Sequence, residues 1–182
     1  MSRLYLALED VFSDADCDRI IALADGAPTE AGPLYGNTDR RVDRALRDVR
    51  SSLLARGDAP WLFARLDALF AIGAEVFALP VGPIGEAIQI LLYGEGCHFQ
   101  MWHTDAGVDK AGQRQISMSV ELSDPADHDG GDLEVVPELV GRPRTLKRGG
   151  AHLFPSRALH RVTPVTRGTR WALVAWTGAA ES

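Results

Sequence analysis

Two segments in the N-terminal half repeat apolar residues at helical spacing. In the first, Ser13 precedes aspartates, and apolar residues then recur three and four positions apart. Serine caps helix N-termini and acids are favoured in the first turn, so we expect a helix from Ser13 to near Gly26. The second segment begins at Asp58-Ala59-Pro60 and carries an apolar stripe until Leu79-Pro80, which predicts its end. Between them, the Pro- and Gly-rich residues 27–37 predict a loop.

Beyond Pro83 the apolar spacing shortens towards two, and Gly or Asp clusters separate short apolar runs. The predicted strands are residues 87–93, 99–103, 115–122, 133–137, 152–155, 160–164 and 170–177. Short strands that follow helices, instead of alternating with them, are typical of a β-sandwich or jelly roll with helices on one side. We therefore predict one mainly β (α+β) domain over residues 1–182. Residues 1–82 form a helical support region, and residues 83–178 form a jelly-roll (double-stranded β-helix) core.

Composition and charge narrow the possible partners. Hydrophobic residues make up 46% of the 182 residues and charged residues 24%, which is typical of a folded globular protein. The formal net charge of −6 repels nucleic-acid phosphates and anionic lipids. The apolar stretches are shorter than the ~20 residues that a membrane span needs. Neither nucleic acid nor a membrane is expected as a partner.

Cysteine usage and the N-terminus indicate a compartment. The two cysteines, Cys17 and Cys97, form no CxxC pair, and charged residues such as Arg3 and Glu9 interrupt the apolar run where a signal peptide would be. We expect a reducing, cytoplasmic setting.

Three residues on or directly after predicted strands have the chemistry of a metal site. His103 and Asp105 lie two positions apart, and residues so spaced on an extended strand point to the same side. His160 stands at the start of a later predicted strand. Two histidines and one carboxylate are the facial triad that binds non-haem Fe(II) and leaves coordination positions open.

A fourth candidate, Arg170, begins the last predicted strand. A guanidinium at the base of an apolar strand needs an anionic partner, because burial of an unpaired charge is costly. A carboxylate that binds it in bidentate fashion would meet this need.

The order His103-x-Asp105, His160, Arg170 resembles the signature of the 2-oxoglutarate- and Fe(II)-dependent oxygenases. Residues 93–176 more narrowly resemble the prolyl 4-hydroxylase-like branch, which includes small bacterial hydroxylases. The supporting motifs are RQISMSVELS (114–123), GGDLEV (130–135), FPS (154–156) and TPVTRGTR (163–170).

The resemblance implies that His103, Asp105 and His160 bind iron and that Arg170 binds the distal carboxylate of 2-oxoglutarate. Tyr93 matches a position that lines the co-substrate pocket, and Trp176 matches an aromatic wall near the metal. The branch often has a second hydroxyl donor to the distal carboxylate, and the candidates here are Ser117, Ser119 and Thr163.

The implied cofactors are Fe(II), the co-substrate 2-oxoglutarate and O₂, with ascorbate as a candidate reductant. The implied reaction hydroxylates an unactivated C–H bond and releases succinate and CO₂. Its substrate is an amino acid, a peptidyl residue or a small metabolite. Selectivity is expected from loops at residues 26–50, 105–113 and 126–131, and the small size of the chain favours a small molecule or a short peptide segment.

Three alternative functions are compatible with these residues. Oxidative nucleobase demethylases share the ligand pattern, but they typically carry a second arginine where this chain has Trp176. A non-catalytic jelly-roll binding module would keep the fold without turnover. A zinc hydrolase could use the same ligand set, although Arg170 has no evident role in that chemistry.

Overall fold

The computed structural model describes residues 4–25, 29–31, 48–107, 113–141 and 144–180. The helices among them are α1 (Asp14–Asp25) and α2 (Pro60–Phe77), as predicted. Ser13 caps α1: its Oγ accepts a hydrogen bond from the backbone N–H of Asp16 at 3.2 Å, while Oδ2 of Asp16 accepts one from the backbone N–H of Ser13 at 3.0 Å. This reciprocal pair is a capping box with an aspartate in place of the usual glutamate.

Helix α2 begins and ends where the sequence predicts. Pro60 occupies its first turn, where a missing N–H costs nothing. Its last turn is closed by Ala78, which adopts a left-handed conformation with φ of 54°. The N–H of Leu79 then donates to the carbonyl oxygen of Ala74 at 3.1 Å. The following Pro80 cannot continue the helix.

Apart from a 3₁₀ turn (Pro125–Asp127), the remaining described elements are short strands arranged in antiparallel pairs. They are β1 (Leu6–Leu8), β2 (Thr29–Ala31), β3 (Arg50–Leu54), β4 (Ile88–Tyr93), β5 (Phe99–His103), β6 (Arg114–Glu121), β7 (His128–Gly130), β8 (Leu133–Val135), β9 (Ala151–Pro155), β10 (His160–Val162), β11 (Val165–Gly168) and β12 (Arg170–Gly178). The large sheet has the order β1-β9-β6-β12-β4-β3-β2. The smaller sheets have the orders β5-β10-β8 and β11-β7. This is the predicted jelly roll.

Alternation along the strands of the large sheet separates two apolar cores. On β4, Ile88 and Ile90 pack in one cluster with side chains of α1 and α2, such as Ile20 and Phe63. Residues that alternate with them, such as Leu91, belong to a second cluster with side chains of β8 and β10. The first core attaches the helices to the outer face of the large sheet. The second lies between the large sheet and the three-stranded sheet, where the polar site is also located.

All seven predicted strands are present, with bounds that differ by at most a few residues. The N-terminal region is not only helical, however, because β1, β2 and β3 also join the large sheet. Strand β2 falls within the segment predicted as a loop, and β7 and β11 were also not expected. Most of these strands have three or four residues, too few for a periodic signal, and their positions depend on pairing with distant strands.

Several predicted loops lie largely outside the described residues. Of the segment 26–50, the structure describes only 29–31 and 48–50, and of 105–113 it omits 108–112. The third segment, 126–131, is described: it contains part of a 3₁₀ turn (Pro125–Asp127) and β7.

Candidate active site

Two histidines face each other across neighbouring strands of the three-stranded sheet. His103 ends β5 and His160 begins β10, and they are direct partners in this antiparallel pair. Residues directly opposite each other project from the same face of a sheet. Their ring centroids accordingly lie 4.2 Å apart. Strand register therefore brings together two residues that are far apart in the sequence.

A backbone carbonyl fixes the orientation of each imidazole. Nδ1 of His103 lies 2.9 Å from the carbonyl oxygen of Met101, and Nδ1 of His160 lies 3.0 Å from that of Ala158. A carbonyl oxygen can only accept a hydrogen bond, so we assign the proton to Nδ1 in both rings. Nε2 of each ring then keeps its lone pair, as is usual for histidines that bind metals.

Asp105 lies two residues beyond the end of β5, and its backbone is anchored separately. Its N–H donates to the carbonyl oxygen of Ser156 at 2.9 Å. Its Oδ2 accepts a hydrogen bond from Oγ of Ser117 at 2.7 Å, and the indole N–H of Trp176 also donates to the carboxylate. Because β5 ends at His103, it is these contacts, and not strand geometry, that direct the carboxylate of Asp105 towards the histidines.

The surroundings of Asp105 favour its ionised form. Burial by itself would raise the pKa of this carboxyl group. The electrostatic effect of His160 and His103, together with the hydrogen bonds from Ser117 and Trp176, outweighs burial and holds the pKa below its usual value. Asp105 is therefore a carboxylate at neutral pH.

The three side chains offer a donor set that fits a metal ion. One possible ligand atom from each of His103, Asp105 and His160 lies within 4.8 Å of the other two. Nε2 of His160 is 3.4 Å from Oδ2 of Asp105. Two imidazole nitrogens and one carboxylate oxygen on one side of a cavity match the facial triad that binds Fe(II) and leaves positions open.

Aromatic side chains hold the two imidazoles in place. The ring of Phe99 stacks on His103, with centroids 3.7 Å apart and planes 13° from parallel. The ring of Phe154 contacts His160 at 4.8 Å in a tilted arrangement. These contacts restrict the rotation of both rings and surround the donor atoms with apolar groups.

A cavity of about 140 Å³ lies between the large sheet and the three-stranded sheet. The predicted metal ligands His103, Asp105 and His160 line it, as do the predicted co-substrate residues Arg170, Tyr93 and Trp176. A dry cavity of about 150 Å³ can hold a molecule the size of benzene. The space therefore suits a small organic molecule beside the triad.

Arg170 begins β12 and is almost completely buried, with 2% of its surface exposed. It lies directly opposite Tyr93 of β4, and its Cζ is 5.5 Å from the centre of that ring. Its Nη2 and Nε donate to Oε1 and Oε2 of Glu121 at 2.6 and 3.0 Å. The sequence predicts that Arg170 needs an anionic partner. It does not predict that this partner is Glu121, a residue of the same chain.

The Arg170–Glu121 pair keeps both groups charged. Burial alone would raise the pKa of Glu121, but Arg170 and a hydrogen bond from His152 lower it to about 2. Burial alone would lower the pKa of Arg170, and Glu121 raises it above its usual value instead.

The candidates for a second hydroxyl donor are in different surroundings. Ser117 is engaged with Asp105 and with Oγ of Ser156, 2.9 Å away. Oγ of Thr163 accepts a hydrogen bond from the N–H of Asp132, and Thr163 does not line the cavity. Ser119 lines the cavity and makes no hydrogen bond to another side chain in the described part of the structure.

A second buried cation, Arg114, lines the cavity and was missed by the sequence analysis. It begins β6, and its Cζ lies 3.9 Å from the centre of the Trp176 ring. Its Nε donates to Oε1 of Glu86 at 2.7 Å. Arg114, like Arg170, stands at the start of an apolar strand, a position where a buried charge needs an anionic partner. Trp176 itself is both the predicted aromatic wall and a hydrogen-bond donor to Asp105.

The jelly roll with this triad defines a class of oxygenase, and comparison with known families identifies which one. A family model described as the 2OG-Fe(II) oxygenase superfamily matches residues 88–178. The chain belongs to this superfamily. It is an enzyme, a hydroxylase that uses iron, 2-oxoglutarate and O₂, in a family that acts on small molecules or peptides.

Similar curated proteins are named PKHD-type hydroxylases. One from Synechococcus sp. is 30% identical over 180 residues, which are 95% of this chain and 77% of that protein. One from Rhizorhabdus wittichii is 32% identical over 186 residues, with the same two coverages. These matches extend over most of the chain, including the N-terminal region.

Solved structures with low sequence identity share the fold. A prolyl-4-hydroxylase from Pseudomonas putida aligns with a TM-score of 0.70 at 19% identity, over 97% of this chain and 93% of that one. A viral collagen prolyl hydroxylase from Paramecium Bursaria Chlorella virus-1 aligns with a TM-score of 0.69 at 19% identity, over 98% and 97% of the two chains.

Within the described residues, neither helix has the length and apolar character that a membrane crossing requires.

Proposed function

We propose that His103, Asp105 and His160 hold Fe(II) and that Arg170 binds the distal carboxylate of 2-oxoglutarate. The observation that carries this proposal is that the donor cluster and the buried guanidinium line the same cavity. Bound iron, with 2-oxoglutarate and O₂, supplies the oxidising power for hydroxylation of a C–H bond. The chain provides ligands, orientation and an apolar enclosure.

Each residue of the triad has a separate task. His103 and His160 present Nε2, because their Nδ1 atoms are tied to backbone carbonyls. Asp105 provides a carboxylate that Ser117 and Trp176 keep in one orientation. A metal held on this side alone keeps positions open for the co-substrate and for oxygen.

Arg170 has one amino group, Nη1, that Glu121 does not engage. We assign this group to the distal carboxylate of the co-substrate, with the hydroxyl of Ser119 as the second donor. Tyr93, directly opposite Arg170 in the strand pairing, forms the wall beside this end of the co-substrate.

The substrate is an amino acid, a peptidyl residue or a small metabolite. The cavity volume supports a small reacting group, and the net charge of −6 argues against nucleic acid. Residues 1–182 act as one oxygenase domain, because β1, β2 and β3 belong to the same sheet as β4, β6, β9 and β12. The reductant is ascorbate, and the compartment is the cytoplasm, in accordance with the free thiols of Cys17 and Cys97.

The test begins with the purified protein, Fe(II) and 2-oxoglutarate without oxygen. A metal-to-ligand charge-transfer absorbance should appear, and admission of oxygen should give slow release of succinate without a prime substrate. His103→Ala and Asp105→Ala should abolish this release. Arg170→Ala should chiefly raise KM for 2-oxoglutarate.

Matched variants distinguish the assigned roles from general damage. Arg167, which lies close to Arg170 in sequence, is exposed and pairs with exposed Asp129, so Arg167→Ala should leave KM unchanged. His128 lies on β7 and does not line the cavity, so His128→Ala should retain succinate release. An unchanged KM in Arg170→Ala would show that the co-substrate pocket is assigned wrongly.

A further inference from the structure

Five side chains form a row across five neighbouring strands of the large sheet. In the order of the sheet they are Tyr5 (just before β1), His152 (β9), Glu121 (β6), Arg170 (β12) and Tyr93 (β4). Of these, His152 and Arg170 are each 2% exposed and Glu121 is 9% exposed. The row connects the proposed co-substrate site, on the interior strands β12 and β4, to the edge strand β1. A change at one end of the row can therefore affect the charge at the other.

Polar contacts link four members of this row, from Tyr5 to Arg170, and the guanidinium of Arg170 lies over the ring of Tyr93. The hydroxyl of Tyr5 lies 2.7 Å from Nδ1 of His152, and Nε2 of His152 lies 3.3 Å from Oε1 of Glu121. Glu121 accepts in turn from Arg170. With a neutral imidazole, the pattern that satisfies every group has Tyr5 donating to Nδ1 and the Nε2–H donating to Glu121.

In this state the row carries no net charge, because Glu121 neutralises Arg170. A second carboxylate placed on Arg170 would leave an uncompensated negative charge in a buried site, which is costly. Protonation of His152 would supply the missing positive charge. Both of its neighbours can accept, since Glu121 takes the Nε2–H and the Tyr5 hydroxyl can rotate to take the Nδ1–H.

We propose that 2-oxoglutarate binds to this protein together with one proton, which His152 takes up from solvent when the distal carboxylate joins Arg170. His152 and Glu121 are then positioning residues that make co-substrate affinity depend on pH. This inference rests on the proposed role of Arg170. After protonation of His152, the two positive charges of Arg170 and His152 balance the two negative charges of Glu121 and the distal carboxylate.

Other groups near the row do not provide this positive charge. Burial raises the pKa of Tyr5, so it remains neutral. Arg144 and Glu9 both act on Tyr5 and lie 3.8 Å from each other, so their charges offset. Asp132 adds a further negative charge near Arg170. Ser119, the partner of His152 in the strand register, is uncharged.

The direct measurement is calorimetry of 2-oxoglutarate binding to the Mn(II)-loaded protein. Titrations at pH 8 in two buffers with different ionisation enthalpies should show uptake of close to one proton per site. The Kd should rise with pH, by at most about tenfold per pH unit for one proton. Carboxylic acids titrate near pH 4, so 2-oxoglutarate itself does not contribute.

Variants assign the proton to its site. In His152→Gln the amide can donate to Glu121 and accept from Tyr5, so it reproduces the neutral imidazole. Its Kd should be independent of pH and equal to the value that the wild type approaches at high pH. The control His128→Gln, outside the row and the cavity, should keep wild-type proton uptake.

Glu121→Gln gives a second test with an opposite sign. Removal of the negative charge leaves Arg170 unneutralised, so binding at pH 8 should become tighter and lose its proton uptake. If Glu121 served only to hold Arg170 in position, binding would weaken at every pH. Circular dichroism and thermal unfolding establish that each variant is folded.

The outcomes separate this inference from the proposed function. Binding to the wild type without proton uptake, or unchanged uptake in His152→Gln, would overturn the inference alone. Absence of binding at every pH would overturn the assignment of Arg170 and, with it, this inference.

Discussion

The hydroxyl of Ser117 lies 2.7 Å from Oδ2 of Asp105 and 2.9 Å from Oγ of Ser156. The backbone carbonyl of Ser156 also accepts from the N–H of Asp105 at 2.9 Å. The orientation of the carboxylate is therefore determined by the strand β6 and by the turn after β9, and not by β5 alone. Metal affinity should depend on this support.

Replacement of Ser117 by alanine should weaken metal binding without loss of the fold. The carboxylate of Asp105 loses a donor, and loss of such a supporting contact typically costs about 10–100-fold in metal affinity or activity. Mn(II) titration followed by electron paramagnetic resonance would measure the change. Ser123→Ala is the matched control, since Ser123 bonds to the backbone of Thr169 and Trp171 and does not line the cavity. Equal affinities for Ser117→Ala and the wild type would contradict the role given to Ser117.

The indole N–H of Trp176 can be removed while the aromatic ring is kept. Trp176→Phe should retain a ring beneath Arg114 but lose the hydrogen bond to Asp105. We expect a metal affinity lower than that of the wild type by about the same factor as for Ser117→Ala, with KM for 2-oxoglutarate little changed. Trp171→Phe, on the same strand but outside the cavity, serves as the control. A large rise in KM with unchanged metal affinity would instead place Trp176 at the co-substrate.

Gly131 lies against the side chain of Arg170. It has a φ of 70°, and a Cβ at this position would be 3.0 Å from Cδ of Arg170 and 2.9 Å from Cγ2 of Val165. Gly131→Ala should therefore displace Arg170 and raise KM for 2-oxoglutarate several-fold, in addition to the backbone strain, which costs about 1 kcal/mol.

The control for Gly131→Ala isolates the contact from the strain. Gly141 has a similar φ of 64°, and its Cβ would meet nothing within 4 Å. Gly141→Ala should lose a comparable amount of unfolding free energy while KM stays at the wild-type value. If both variants raise KM equally, the contact with Arg170 is not the cause.

Acid should destabilise the protein through Glu121. Its pKa in the folded state, about 2, lies below the ordinary value of 4.5 that it regains on unfolding. The stabilisation is thus fully present above pH 4.5 and is lost as the pH falls from there towards 2. At about 1.4 kcal/mol per pH unit, the ionisation of Glu121 contributes at most about 3.5 kcal/mol to the free energy of unfolding. Urea unfolding between pH 7 and pH 3 should show a steeper loss in the wild type than in Glu121→Gln. Glu138→Gln, at an exposed position, should follow the wild type.

The sequence predicts the jelly roll, the three candidate metal ligands and Arg170 because their signals are local, whereas Tyr93 and Trp176 follow from the family resemblance. Alternating apolar runs define β4, β6 and β12, and His103 and Asp105 stand two positions apart. Arg170 begins an apolar strand, where a buried charge requires an anionic partner. Strand order then brings these residues together, and the family resemblance indicates that order in advance.

The contacts that surround those residues have no local signal. Glu121 lies 49 positions from Arg170, and Tyr5 lies 147 positions from His152. They meet only because β1, β9, β6 and β12 are neighbours in the sheet. The choice among Ser117, Ser119 and Thr163 is likewise decided by side-chain direction and by competing partners, which composition and spacing do not reveal.

The placement of β1 and β3 has a consequence for any shortened version of this protein. They flank β9 and β4, respectively, in the large sheet. A fragment confined to residues 83–178 would expose the unpaired N–H and C=O groups of β4 and β9 on both sides of the sheet. Such bare edges readily pair with other chains. The N-terminal strands thus cover the edges of β4 and β9 and prevent self-association of the sheet. Their removal should yield aggregates, and not a smaller active enzyme.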